Sequence, residues 1–117
     1  MSVTFYDNGL QKIDHDAVDG AVRLIVEAFH PNRIVVFGSY ARGEAGPDSD
    51  LDLFIEMESS LRPPERGIAV RRVLRNVRFP LDVFVYTPKE VADARRTFGN
   101  LMSYVDAEGK LLYERRP

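Results

Sequence analysis

Apolar positions along this chain change their period from segment to segment, and the changes mark out its elements. From Asp14 or Asp16, either of which suits an N-cap, Val18, Val22, Ile25 and Phe29 follow the i, i+4, i+7, i+11 spacing of one helical face, and Pro31 ends the pattern. Arg33 to Phe37 is a short β-branched and aromatic run that reads as a buried strand, and Asp50 to Glu56 alternates polar and apolar as a second strand. A helix entered at Pro63 or Pro64 is expected to bury Val70, Val73, Leu74 and Val77 and to stop at Pro80, after which Leu81 to Tyr86 forms a third strand. Thr87-Pro88-Lys89-Glu90 is a capping box that starts another helix, expected to break near Gly99. Asn100 then caps a shorter helix carrying Leu101, Met102 and Val105, Gly109 closes it, and Lys110 to Glu114 reads as a last strand. Ahead of all this, Val3, Phe5 and Tyr6 precede a turn signal at Asp7-Asn8-Gly9. Helices alternating with strands give an α/β (α+β) class: one domain over residues 1–117, with a three- to four-stranded mixed sheet flanked by helices.

Composition narrows the function classes. With 117 residues, 44% apolar and 29% charged, the chain is expected to bury a single core and to leave no room for a second domain. It has no cysteine, which excludes thiol chemistry, disulfides and cysteine-ligated zinc. No apolar run approaches the roughly 18 residues of a membrane span, and the N-terminus lacks a basic region followed by an apolar one, so a cytoplasmic protein without membrane contact is expected. A net charge of −2 gives no overall attraction to nucleic acid, and direct nucleic-acid binding is not expected. Locally the balance differs: between residues 60 and 80 six arginines face the single acid Glu65, a net of +5. Arg71, Arg75 and Arg78 form a stripe there, readable either as a solvated face or as a docking surface for an acidic partner or RNA. His15 and His30 have no companion ligands at metal spacing and read as surface residues.

The candidate chemistry lies between Ile34 and Ile55. In a strand, side chains at i and i+2 share a face, so Asp50 and Asp52 stand together while Leu51 and Leu53 point the other way. Two carboxylates about 4 Å apart repel by roughly 4 kcal/mol at an effective dielectric near 20, a conflict that a divalent cation removes. Oxygen-only ligands select Mg²⁺ or Mn²⁺. Gly38-Ser39, directly after a buried strand, has the makings of a phosphate seat: glycine allows close backbone approach, and serine adds a hydroxyl. Asp82 interrupts the third strand, where an acid needs a partner, and beside the second strand it would complete a triad. Each residue also has a plainer reading. The paired aspartates can be solvated acids at a strand start, Asp82 can pair with Arg78 or Arg33, and Ser39 can be a cap. Arg42 can reach phosphate or brace the loop against an acid such as Asp48, and Tyr40 beside that loop is best read as packing.

Gly38-Ser39, ten residues, Asp50-x-Asp52 and a later Asp82 together resemble the nucleotidyltransferase superfamily whose palm is like that of DNA polymerase beta, and in wording the minimal nucleotidyltransferase (MNT) group. The resemblance covers Asn32 to Tyr86 by motif. It implies a polymerase beta palm-like fold in which Asp50, Asp52 and Asp82 bind two Mg²⁺ ions, Gly38 and Ser39 hold the β- and γ-phosphates of an NTP, and Asp82 serves as general base. It also implies transfer of AMP from ATP to a hydroxyl. The MNT group is typically paired with a helical HEPN protein as antitoxin and toxin, so a tyrosine of a HEPN-type partner is the expected acceptor. No acceptor-binding domain is visible, so that surface is expected from another protein. The alternatives are a binding module acting by occlusion and a small-molecule (antibiotic) nucleotidyltransferase whose pocket a homo-oligomer would build.

Overall fold

Eight elements follow one another in a computed structural model that describes residues 13–46 and 48–116: α1 (His15–Phe29), β1 (Arg33–Phe37), β2 (Leu51–Glu56), α2 (Pro63–Val73), β3 (Leu81–Tyr86), α3 (Pro88–Ala94), α4 (Leu101–Glu108) and β4 (Lys110–Glu114). The N-terminal apolar positions and the Asp7-Asn8-Gly9 turn signal lie outside the described residues. The strands form one mixed sheet in the order β3-β2-β1-β4. β1 is antiparallel to both β2 and β4, whereas β2 and β3 are parallel, with α2 as the crossover that such a pair requires.

The two-residue period of the strands sorts their side chains onto two covered faces. Ile34, Val36, Leu51, Leu53, Ile55 and Val85 pack with Val18, Ala21 and Ile25 of α1 and with Val70 and Leu74 at α2. Val35, Phe37 and Phe54 face the other way, onto Val91 of α3 and Met102 and Val105 of α4. Aromatic pairs knit this second face: the Phe37 and Phe84 rings lie 5.6 Å apart and those of Phe54 and Tyr86 5.4 Å apart. Asp52 and Asp82 share the parity of Phe54 and Phe84, so they belong to this second face at one end of the strands.

Caps fall where the sequence puts them, while two helices end early. Asp14 accepts the Ala17 N–H at 2.9 Å to start α1, and Thr87 with Glu90 forms the expected capping box of α3. α2 stops at Val73 rather than at Pro80, with the Leu74 and Val77 amides bonded three residues back in tightened turns. The chain has to turn there because Leu81 is held opposite Leu51 in the parallel register. Val77 is thus only partly buried, and Arg75 and Arg78 lie beyond the helix. α3 ends at Ala94 rather than near Gly99, because the Asn100 side-chain amide donates to the Ala94 carbonyl at 2.8 Å while its oxygen caps α4 at the Met102 N–H.

Arg66 was not anticipated as a core residue. It is only 6% exposed, and it donates to Glu90 at 2.6 Å and to the Leu61 carbonyl at 2.9 Å, tying the start of α2 to the start of α3. The Glu90 carboxyl is held below the usual carboxylate range, first by the Thr87 N–H and then, against some desolvation, by Arg66. A depressed carboxyl contributes stability that is complete above the unfolded value and is lost as pH falls through the folded one. Glu90→Gln should therefore cost about 1 kcal/mol at neutral pH, a modest figure because the group is partly solvated. In urea unfolding, that difference should shrink as the pH is lowered below about 4.

Candidate functional site

β1 ends in a reversal that only glycine accommodates. Gly38 has φ +74°, in the left-handed region, and a Cβ built on it would collide with the Asp52 carboxylate. One helix-like turn follows: the Arg42 N–H bonds the Gly38 carbonyl at 3.1 Å and the Glu44 N–H bonds the Ser39 carbonyl at 2.8 Å, with Ser39 half-buried at its start. Tyr40 packs against the first core face, and burial raises its hydroxyl pKa, as do Asp14 and Asp19. The loop back to β2 is pinned at its end by the Gly46 N–H to Ser49 Oγ bond of 2.9 Å and by the Ser49 N–H to Gly46 carbonyl bond of 3.0 Å. This delivers Asp50 just ahead of β2, exposed, and not inside the strand as its sequence pattern predicts.

Register then gathers the acids. Phe37 pairs with Asp52 across the antiparallel ladder, which sets Gly38 beside Asp52, and Asp52 pairs with Asp82 across the parallel one. Burial raises the Asp52 pKa above the ordinary aspartate value, and the charges of Asp82 and Asp50 raise it further; Arg42 pulls it down and Glu108 pushes it up. Among the described residues neither Asp50 nor Asp52 takes a hydrogen bond or an ion pair from a neighbouring side chain. Asp82 approaches Arg71, with Nη2 3.6 Å from Oδ1, and Arg71 also donates to the Leu81 carbonyl at 3.1 Å. A cavity of about 380 Å³ opens beside them, lined by Asp50, Arg71, Leu74, Phe79 and Asp82.

Asp52, half-buried and without a donor, stands with the exposed Asp50 and with Asp82, which Arg71 only partly engages; together they are an oxygen donor set suited to a hard divalent cation, and these three would hold it. Their oxygens do not all come within 4.8 Å of one another; among the described residues the group with that spacing is His15, Asp16 and Asp19. His15 therefore does have acidic companions, contrary to the sequence reading, but all three are exposed and His15 is simply paired with Asp19 at 3.0 Å.

Two residues of the site escaped the sequence reading. Arg71 was seen only as part of a stripe, yet it is the partner of Asp82, where Arg78 and Arg33 had been considered. Glu108 was not singled out at all. Its Oε1 accepts the Gly38 N–H at 3.0 Å, and both its oxygens lie 3.2 Å from Arg42 Nη1. The only hint in the sequence is an acid in the last turn of a helix, where the backbone dipole disfavours it. Arg42 does brace the loop against acids, but these are Glu44 and Glu108 instead of Asp48.

Comparison with known proteins places this geometry. The model of the nucleotidyltransferase domain matches residues 21–114. Among solved structures, the chain is similar to a proposed nucleotidyltransferase from Sulfolobus solfataricus, 19% identical, with a TM-score of 0.60 over 86% of this chain and 79% of that one. It is also similar to a chain in the crystal structure of a toxin–antitoxin with AMP-PNP, 18% identical, with a TM-score of 0.53 over 84% of this chain and 74% of that one. At such identities the likeness is one of fold: an α+β, polymerase beta-like sheet with helices. Curated protein sequences give no match.

The raised Asp52 carboxyl has a measurable consequence. An acid whose folded pKa lies above its unfolded one destabilises the fold at neutral pH, and the penalty disappears as pH drops below the unfolded value. Asp52→Asn should raise Tm at pH 7 by a few degrees, with the gain fading as pH falls toward about 4 and absent below it. Mg²⁺ should raise Tm for the natural chain and leave the variant unmoved; an equal rise in both would remove Asp52 from the metal site.

Proposed function

The chain belongs to the nucleotidyltransferase domain family, and on that footing we propose that it moves AMP from ATP onto a hydroxyl of a protein partner. The observation that carries this reading is the register that sets Asp52 beside both Asp82 and the Gly38 turn. In this reading the Gly38 backbone and the Ser39 hydroxyl hold the β- and γ-phosphates, with Arg42 supplying positive charge at the same turn. Asp50, Asp52 and Asp82 would hold Mg²⁺, which when bound would offset the triphosphate charge and acidify the acceptor hydroxyl. Asp82, on the side of the 380 Å³ cavity, takes the acceptor proton. The acceptor oxygen bonds to the α-phosphorus, the bond from that phosphorus to the α–β bridging oxygen breaks, and pyrophosphate leaves.

Similarity to a chain from a toxin–antitoxin structure with AMP-PNP supports a protein partner, and a tyrosine of a HEPN-type toxin is the acceptor we favour. No helix among the described residues is long and apolar enough to cross a membrane. A second reading, in which the chain neutralises its partner by occlusion alone, draws on the Arg71–Asp82 pair, which leaves Asp82 engaged with a cation of the protein's own.

Co-expression with the product of the neighbouring gene, followed by intact mass spectrometry, separates the two. Transfer should add one or more adenylyl groups to the partner, and Asp50→Asn with Asp52→Asn should lower labelling from ATP by at least about 10²-fold. Asp82→Asn should lower turnover by roughly 10²- to 10⁴-fold. A partner held tightly and inhibited, yet unmodified by the natural chain, would leave occlusion as the function.

A further inference from the structure

The Gly38 N–H, the donor a phosphate oxygen would use, is already taken by the carboxylate of Glu108, and so is Arg42, the cation nearest that turn. Glu108 is the last residue of α4, brought in from 70 positions along the chain, and Gly109 makes the approach possible: a Cβ there would strike the Val105 carbonyl and Val35. Its electrostatic surroundings are otherwise poor. It sits at the negative end of a helix with no basic residue in its last turn, and it raises the Asp52 pKa by repulsion. Arg42 and one amide are what compensate a carboxylate placed among acids.

Accepting the nucleotide reading above, we propose that Glu108 is an internal stand-in for phosphate: it occupies the Gly38 amide and Arg42 until an incoming metal-bound triphosphate displaces it. A triphosphate offers the same two partners several charge-assisted bonds in place of one carboxylate, and it brings a cation that quiets the neighbouring aspartates. Displacement also relieves the Glu108–Asp52 repulsion. The exchange keeps Arg42 paired throughout, so the loop between β1 and β2 has a charged partner before and after binding. Nucleotide affinity is thereby set below what the seat alone would give, since every binding event must first release Glu108.

Calorimetric titration of Mg-ATP into the full chain and its Glu108→Gln and Glu108→Ala variants tests this. Removing the competing charge should tighten binding roughly tenfold, with Ala at least as strong as Gln, because Gln still accepts the Gly38 N–H without attracting Arg42. Gln preserves the shape of the side chain, so the test survives if Ala fails to fold. A second readout follows the Gly38 amide by NMR: it should differ between natural chain and variant when free and coincide once both are saturated with Mg-ATP. Unchanged or weaker binding in the variants, or an amide difference that persists at saturation, would overturn the proposal while leaving the nucleotide reading intact. Weaker binding of Mg²⁺ alone would likewise overturn it, by making Glu108 a metal ligand. If neither the natural chain nor the variants bind Mg-ATP, the nucleotide reading itself fails, and this inference with it.

Discussion

Two carboxylates held in register across a parallel strand pair repel each other, and nothing local holds them there. The force that does lies on the opposite face of the sheet: Leu51, Leu53 and Ile55 are wholly buried, and they alternate with Asp52 and Phe54. A one-residue slip of β2 would turn three aliphatic side chains out of the core under α1 and α2 and put the acid in their place, at roughly 2 kcal/mol per displaced apolar residue. Like charges at about 4 Å cost a comparable few kcal/mol in a partly solvated setting. The apolar face is larger, so it dictates the register and the acids accept the consequence. The site is thus a by-product of core packing on the side the acids do not touch.

The same balance explains where the cations sit. Asp50, Asp52, Asp82 and Glu108 gather at one end of the sheet, and two arginines answer them from opposite sides, Arg42 toward Glu108 and Arg71 toward Asp82. Neither arginine reaches Asp52 itself, which keeps a raised proton affinity among the described residues. A group left in that condition destabilises a fold unless something else binds it, which is the usual signature of a site as opposed to a structural ion pair. Arg66 and Glu90 make the contrast within the same molecule: the arginine is buried, the acid half-buried, both are hydrogen-bonded on several sides, and the acid is held below its ordinary range.

The sequence shows its local grammar clearly. Asp14, Thr87 and Asn100 cap the helices expected of them, the four strands lie where the apolar runs are, and Gly38, Asp52 and Asp82 meet because alternation and strand order require it. What it hides is non-local. No periodicity tells that α2 must stop at Val73, since the cause is a register between β2 and β3. Nor does a lone arginine at position 66 announce a buried clamp, or Glu108 a contact with an amide 70 residues earlier. The acids of the site belong to a compact motif with fixed spacing, whereas Arg71 and Glu108 come from helices whose placement only the packed core determines.

Gly109 shows how closely these levels are joined. Its missing side chain lets the end of α4 settle onto Val35 of β1, and that contact brings Glu108 to the turn that follows the same strand. Any side chain at 109 would lift the helix end by the width of a methyl group, enough to break a hydrogen bond of 3.0 Å. Packing on the second face and occupancy of the Gly38 amide are therefore one variable, not two. On the proposed exchange, a ligand that took the amide from Glu108 would free a side chain whose backbone is packed at Gly109 against Val105 and Val35, so a rotamer change would suffice. Such a step would be fast and local, and it would let a small sheet admit a highly charged ligand without loosening the core that aligns its acids.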